Sequence, residues 1–141
     1  MVETNDRRLP VGIQSFEKIR KEGYLYVDKT DIIWQLANRN KTYHYLSRPR
    51  RFGKSVLVDT LEAYFLGKKE LFEGLKIMQL ETEWVKRPVI RLDMSRAGAE
   101  PETLRSYLDI TFDRLEEEYG IIPKPTARLA DRFNAIIVGA Y

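Results

Sequence analysis

Nine residues hold the densest chemistry of the chain: Ser47-Arg48-Pro49-Arg50-Arg51-Phe52-Gly53-Lys54-Ser55. Gly53, Lys54 and Ser55 match the end of the phosphate-binding pattern G-x-x-x-x-G-K-S/T, and Arg48 stands where that pattern has its first glycine. In such a loop, backbone N–H groups and the N-terminus of the following helix face phosphate oxygens, a lysine reaches the β and γ phosphates, and a hydroxyl holds Mg²⁺. Gly53 permits close backbone approach, and the N–H groups of Arg51 and Phe52 supply donors. Lys54 is the candidate catalytic cation, neutralising charge on the β and γ phosphates, and Ser55 is the candidate metal ligand. A lysine in the first turn of a helix opposes the macrodipole by about 0.3–1 kcal/mol, which a bound anion would offset. The competing reading is a solvated basic loop that holds Gly-Lys-Ser by chance.

Arg48, Arg50 and Arg51 could reinforce an anion site, because guanidinium forks grip phosphate. They could equally meet solvent, an acidic partner or a nucleic-acid backbone, and Phe52 beside them suits stacking on a single strand. Asp93, at the end of the run Val89-Ile90-Arg91-Leu92, is placed to hold Mg²⁺ or, more ordinarily, to cap a turn. His44, between two tyrosines, reads as a packed or strand-face residue. Asp28-Lys29-Thr30 reads as a strand end and helix cap, and Glu116-Glu117-Glu118 as a solvated helix face.

Other chemistries are excluded by composition. Cysteine is absent and His44 is the lone histidine, which removes thiolate sites, disulfides and histidine clusters. The 141 residues amount to about one domain, and a net charge of +3 with both signs mixed along most of the chain implies no particular partner. The exception is the loop, where Arg48, Arg50, Arg51 and Lys54 concentrate four cations within seven residues. No apolar run reaches the roughly 18 residues of a membrane span. Residues 1–8 read as a polar, flexible arm without a signal-peptide apolar region, so the cytoplasm is the expected compartment.

The elements that must position the loop follow from local pattern. Ser15 is placed to cap a helix to about Lys21, with Phe16 and Ile19 on one side and Gly23 as its stop. Thr30 is placed to cap a second helix to Asn38. Tyr24–Asp28, Thr42–Leu46 and Pro88–Ser95 are rich in the β-branched and aromatic residues that strands favour. Lys54–Leu66 carries Leu57, Val58, Leu61, Tyr64 and Phe65 at helical spacing. A further helix runs from Pro101 to Tyr119 and stops at Gly120, and a last one starts near Thr126. Strand, loop, helix, strand, helix, helix implies an α/β fold, an incomplete parallel βαβ core with its ligand at the carboxyl ends of the strands. With two or three strands and no closing one, the chain reads as truncated.

Leu9-Pro-Val-Gly-Ile-Gln-Ser-Phe16, Tyr24-Leu-Tyr-Val-Asp-Lys-Thr30 and the stretch from Ser47 to Ser55 together resemble the bacterial AAA-ATPase-like family of P-loop proteins. The helix continuing through Leu61-Glu-Ala-Tyr-Phe-Leu-Gly-Lys-Lys-Glu-Leu-Phe-Glu-Gly-Leu75 is similar to the family too. Residues 9–95 carry the likeness well, the remainder loosely, and Arg48 reads as the family's own variant of the loop. The resemblance implies that residues 9–141 are the N-terminal part of an AAA-like P-loop domain binding ATP and Mg²⁺. Arg50, Arg51, Phe52, Gly53, Lys54 and Ser55 would contact the nucleotide, and Gly12, Ile13 and Phe16 would form part of a base pocket. It also implies a second acidic motif of the D-E-Y-D type and, in many members, a nuclease-like domain of the PD-(D/E)xK kind, neither of which these residues contain. Hydrolysis, and any contact with nucleic acid, is then expected of a longer parent protein. The alternative is a module that docks nucleic acid or an acidic partner on the arginine loop without catalysis.

Overall fold

The computed structural model describes residues 7–39 and 43–141. The chain divides into two compact units, Met1–Val89 and Ile90–Tyr141.

The first unit holds helices α1 (Phe16–Lys21), α2 (Thr30–Asn38), α3 (Lys54–Phe65) and α4 (Ile77–Leu80), with a 3-10 turn at Lys69–Phe72. α1 begins as its sequence predicts: the Ser15 hydroxyl accepts from the Lys18 N–H at 3.3 Å, and Phe16 and Ile19 turn inward. At α2 the cap differs from expectation. Asp28, not Thr30, receives the helix's first donors, with Oδ1 accepting from the Thr30 N–H at 2.9 Å and from its hydroxyl at 2.7 Å. Thr30 is thereby freed for a tertiary role: fully buried, its Oγ1 accepts from the Ile77 N–H at 3.1 Å. Asp28 Oδ2 accepts from the Lys76 N–H at 2.8 Å. Two adjacent side chains thus fasten the start of α2 to the start of α4. Burial works against an ionised Asp28, but the bonds from Thr30 and Lys76 outweigh it and hold the carboxyl below its ordinary range.

The core under these helices is Phe16, Ile33, Ala63, Leu71, Phe72, Leu75 and Ile77, edged by Tyr26, Trp34, Leu57, Leu61, Tyr64 and Trp84. Phe16 meets Tyr26 and Phe72 with ring centroids 5.2 and 5.0 Å away, and Phe72 meets Trp84 at 5.1 Å. Each fully buried large side chain contributes about 1.5–3 kcal/mol, so this aromatic cluster is the main source of the unit's cohesion. α3 reaches it through Ala63 and its half-buried leucines, which seats the C-terminal half of the helix and leaves its first residues in solvent.

The second unit has a 3-10 turn at Met94–Arg96, then α5 (Pro101–Tyr119) and α6 (Leu129–Ala140) packed on each other. Pro101 opens α5 at the position where its missing N–H costs nothing, and Gly120, at φ 65°, ends it in a left-handed turn. α6 begins three residues later than Thr126 predicts, after Arg128. Phe112, Leu115 and Ile136 form the buried seam, and Phe112 and Phe133 stack at 5.6 Å. Arg132 of α6 lies along α5 and donates to Asp109 at 2.9 Å, Asp113 at 2.6 Å and both oxygens of Glu116 at 2.9 and 2.6 Å. Glu116 is therefore buried, and the reading of Glu116-Glu117-Glu118 as a uniformly solvated face is corrected at its first residue.

The expected parallel βαβ core is not what the chain forms: the described residues contain helices and 3-10 turns and no strand. Of the strand predicted at Thr42–Leu46, Thr42 lies outside the described residues, and 43–46 has no regular secondary structure and is exposed throughout. Tyr24–Asp28 is likewise without regular secondary structure, and Leu25 donates its N–H to the Arg8 carbonyl at 2.9 Å without a ladder growing from that bond. The Pro88–Ser95 run passes directly into the Met94–Arg96 turn. Strand-favouring composition measures fit to a pleated, half-buried surface, and it makes a sheet only when neighbouring strands are brought alongside. Here the Tyr24–Asp28 run is spent otherwise, placing Tyr26 on Phe16 and Asp28 at two helix starts.

Candidate phosphate-binding loop

The loop leads into α3, and its last residues turn sharply. Arg51 has φ 67° and Gly53 has φ 74°, two left-handed residues either side of Phe52. Glycine adopts that conformation freely, whereas an arginine there costs about 1–2 kcal/mol. Gly53 is the N-cap of α3 and brings no side-chain acceptor, so the helix's first N–H groups are open to an outside partner. The first intrahelical bond is from the Leu57 N–H to the Gly53 carbonyl, 3.0 Å.

Lys54 does not extend away from the loop. Its Nζ donates to the Arg48 carbonyl at 2.8 Å, closing a ring between the position of the pattern's first glycine and its lysine. The ammonium is thereby held on the loop's own side of the helix end. Arg48, Arg50, Arg51 and Lys54 form no ion pair among the described residues, and Ser55 lies beside them, exposed, in the first turn. All six predicted contact residues, Arg50 to Ser55, are thus consecutive and accessible at one helix end.

Other predicted residues fall elsewhere. Phe16 is fully buried among Tyr26 and Phe72, so its ring is committed to the core and the expected part in a base pocket is corrected. His44 is exposed, not packed. Asp93 caps the Met94–Arg96 turn: its carboxylate accepts from the Ser95 N–H at 3.1 Å and hydroxyl at 2.5 Å and pairs with Arg96 at 3.5 Å. The bonds from Ser95 lower its pKa. That is the ordinary cap reading of this residue.

A small cavity of about 140 Å³ sits at the C-terminal end of α3, lined in part by Asn38, Tyr64, Glu81, Trp84 and Arg87. The Tyr64 hydroxyl donates to Glu81, and burial together with that carboxylate pushes the phenol up to about 12. No loop residue lines it. Sequence reasoning passed over this corner and also over the Lys54–Arg48 contact, for which the pattern offered one signal, the six-residue spacing of its first glycine position and its lysine.

A helical chain with a basic Gly-Lys-Ser loop at a helix N-terminus is the class these observations define. The chain belongs to the AAA-ATPase-like family, whose model, described as a predicted AAA-ATPase, matches residues 10–141. It is also 48% identical over 88 residues to a protein of Azotobacter chroococcum mcd 1 described as an uncharacterized protein in the vnfD 5' region. That match takes in 61% of this chain and 17% of the relative's length. No solved structure matches the chain. Among the described residues no helix is long and apolar enough to cross a membrane.

Proposed function

We propose that the chain binds the phosphates of a nucleoside triphosphate on residues 48–55, with ATP and Mg²⁺ as the ligand pair. The observation that carries the reading is the Lys54 ammonium folded onto the Arg48 carbonyl at 2.8 Å, beside a helix N-terminus capped by a residue without a side chain. Membership in a family described as predicted AAA-ATPases supports it. In this scheme backbone N–H groups of Arg51, Phe52 and Gly53 face the phosphates, and Lys54 exchanges its carbonyl partner for β and γ oxygens. Ser55 contributes its hydroxyl to Mg²⁺, and Arg50 and Arg51 add charge-assisted bonds. ATP hydrolysis by a whole protein carrying this loop belongs to the same proposal, with the water-orienting groups supplied outside the residues named here.

Calorimetry with Mg-ATP on the chain and on Lys54→Ala tests it. Hydrogen bonds to charged groups contribute about 1.5–3 kcal/mol, so the variant is expected to bind roughly ten- to a hundredfold more weakly. Equal binding by both proteins refutes the role given to Lys54.

One observation favours a second reading, a single-stranded nucleic-acid surface. Tyr43, Tyr45 and Phe52 are 90, 93 and 62% exposed in the same stretch as the arginines. Stacking on such rings with phosphate contacts from arginine is the usual mode of sequence-tolerant binding. A gel-shift salt series separates the two readings: nucleic-acid binding falls steeply with salt and is indifferent to added ATP.

A further inference from the structure

The cavity at the C-terminal end of α3 is lined by groups of both charge signs, and none of residues 48–55 takes part in it. Its acidic side is Glu81, whose carboxylate accepts from the Tyr64 hydroxyl and, through Oε1, from the Glu83 N–H at 3.0 Å. An ionised carboxylate offers about four acceptor positions, so about two stay open. Burial keeps the Tyr64 phenol protonated far above neutral pH, which makes it the donor and Glu81 the acceptor. Glu83 adds a second carboxylate to the lining. The aromatic wall is anchored from behind: the Trp84 ring meets Tyr64 edge-on at 5.7 Å and Phe72 of the core at 5.1 Å. Residues 81–87 are held at their far end by the Arg87 N–H, which donates to the Phe65 carbonyl at 2.7 Å.

Arg87 supplies the opposite sign. Its charge acts on the Tyr64 phenol, yet among the described residues its guanidinium pairs with neither Glu81, Glu83 nor any other acid. One small cavity thus keeps an arginine and two carboxylates apart, and a ligand bearing both signs bridges that gap. A purely cationic ligand would meet Arg87. A purely anionic one would meet both glutamates and the negative end of α3, whose last residue is Phe65. Size narrows the class further: about 140 Å³ is close to the roughly 150 Å³ that admits benzene, so about six heavy atoms fit. We infer that this cavity binds a small free α-amino acid as its zwitterion. The carboxylate takes charge-assisted bonds from Arg87, and the ammonium donates to Glu81 and Glu83 beside the rings of Tyr64 and Trp84. A side chain about the size of a methyl group fills the remaining space.

Nitrogen–proton correlation NMR on the full chain tests it, because Trp34 and Trp84 are the chain's two tryptophans and only Trp84 lines the cavity. The probes are alanine, N-acetylalanine, alaninamide and ethylamine at neutral pH and fixed ionic strength. Alanine is expected to shift the Trp84 indole signal saturably and leave that of Trp34 in place. Its dissociation constant should lie near about 1 mM, as suits a ligand this small held by two charge-assisted contacts. N-acetylalanine lacks the ammonium and alaninamide the carboxylate, so each should need about tenfold more, and ethylamine no less than alaninamide. Arg87→Gln changes an exposed side chain and should bring alanine down to the level of alaninamide while leaving alaninamide unchanged. Glu83→Gln, also at an exposed residue, should weaken alanine and alaninamide but not N-acetylalanine. A merely structural role would not exchange preferences in this way. An unmoved Trp84 signal at about a hundredfold the expected constant would overturn the proposal and leave the cavity to ordered water. Alaninamide or ethylamine binding as tightly as alanine would overturn it in favour of a plain cation site, and N-acetylalanine doing so in favour of an anion site. Unchanged alanine binding by Arg87→Gln would remove the carboxylate contact and the proposal with it.

Discussion

Replacing Arg132 by methionine tests how the second unit is held together. The guanidinium is 12% exposed and donates four hydrogen bonds to Asp109, Asp113 and Glu116, with Phe112 beneath it at 5.7 Å. The three carboxylates are not equal. Asp113 and Asp109 are 73 and 44% exposed, so water can replace the arginine there and each pair contributes at most about 1 kcal/mol. Glu116 is 4% exposed and would be left charged, buried and without its cation. Stranding one member of a buried pair costs about 3–5 kcal/mol. At about 0.05–0.15 kcal/mol per residue, a unit spanning Ile90–Tyr141 has only about 3–8 kcal/mol to lose. Arg132→Met should therefore lower the urea midpoint of the helical signal sharply, by about 3 kcal/mol or more. Adding Glu116→Met should recover most of that loss, because the double variant buries two apolar side chains of similar shape in place of an unpaired charge. If Arg132→Met lies within about 0.5 kcal/mol of the parent, or the double variant is no better than the single, the reasoning fails.

Thr30→Val removes the acceptor of the buried Ile77 N–H while keeping side-chain volume; a loss of about 1–3 kcal/mol in chemical denaturation is expected, and a neutral result would show that the fastening of α2 to α4 does not depend on this bond. Glu17 gives a pH prediction: hydrogen bonds from Lys21 and then Lys68 depress its pKa from 4.5 to about 2. A carboxyl depressed on folding stabilises the folded state above its unfolded pKa, so this contribution is present above about pH 4.5 and fades as pH falls toward 2. Glu17→Gln should flatten the acid limb of a stability–pH curve in that window, and an unchanged limb would remove Glu17 from the account. Because the carboxylate is well exposed, added salt should shrink the difference.

The helices were readable because their causes are local. Ser15 before Phe16, Pro101 at the start of α5 and Gly120 after it act on neighbouring residues, and each does in the fold what its position predicts. Local cues failed where a side chain had a distant partner. Thr30 has the chemistry of a cap, but the Ile77 N–H, forty-seven residues away, engages its hydroxyl and Asp28 takes over the cap. Glu116 sits in a run of three glutamates that looks solvated until Arg132, sixteen residues on, is folded against it. The acidic residues at 109, 113 and 116 recur at the four- and three-residue spacing of one helix face, a stripe that the run of glutamates masked.

The strands failed for the same reason at larger scale, since a strand exists only with its neighbour. Tyr43 and Tyr45 have strand chemistry, and in this fold the described backbone beside them joins no ladder. The loop was the easier inference because most of its machinery lies within eight consecutive residues: a glycine at the helix start, a lysine one residue on and a carbonyl six residues back. What remains for experiment is whether the exchange of that carbonyl for a phosphate oxygen is favourable. The run from Ile32 to Val58, which holds these cations and no aspartate or glutamate, argues that it is. In the proposed exchange Lys54 would give up one neutral acceptor and gain anionic ones, and hydrogen bonds to a charged group are roughly twice as strong as neutral ones. Among the described residues Arg48, Arg50 and Arg51 have no competing ion pair to break first.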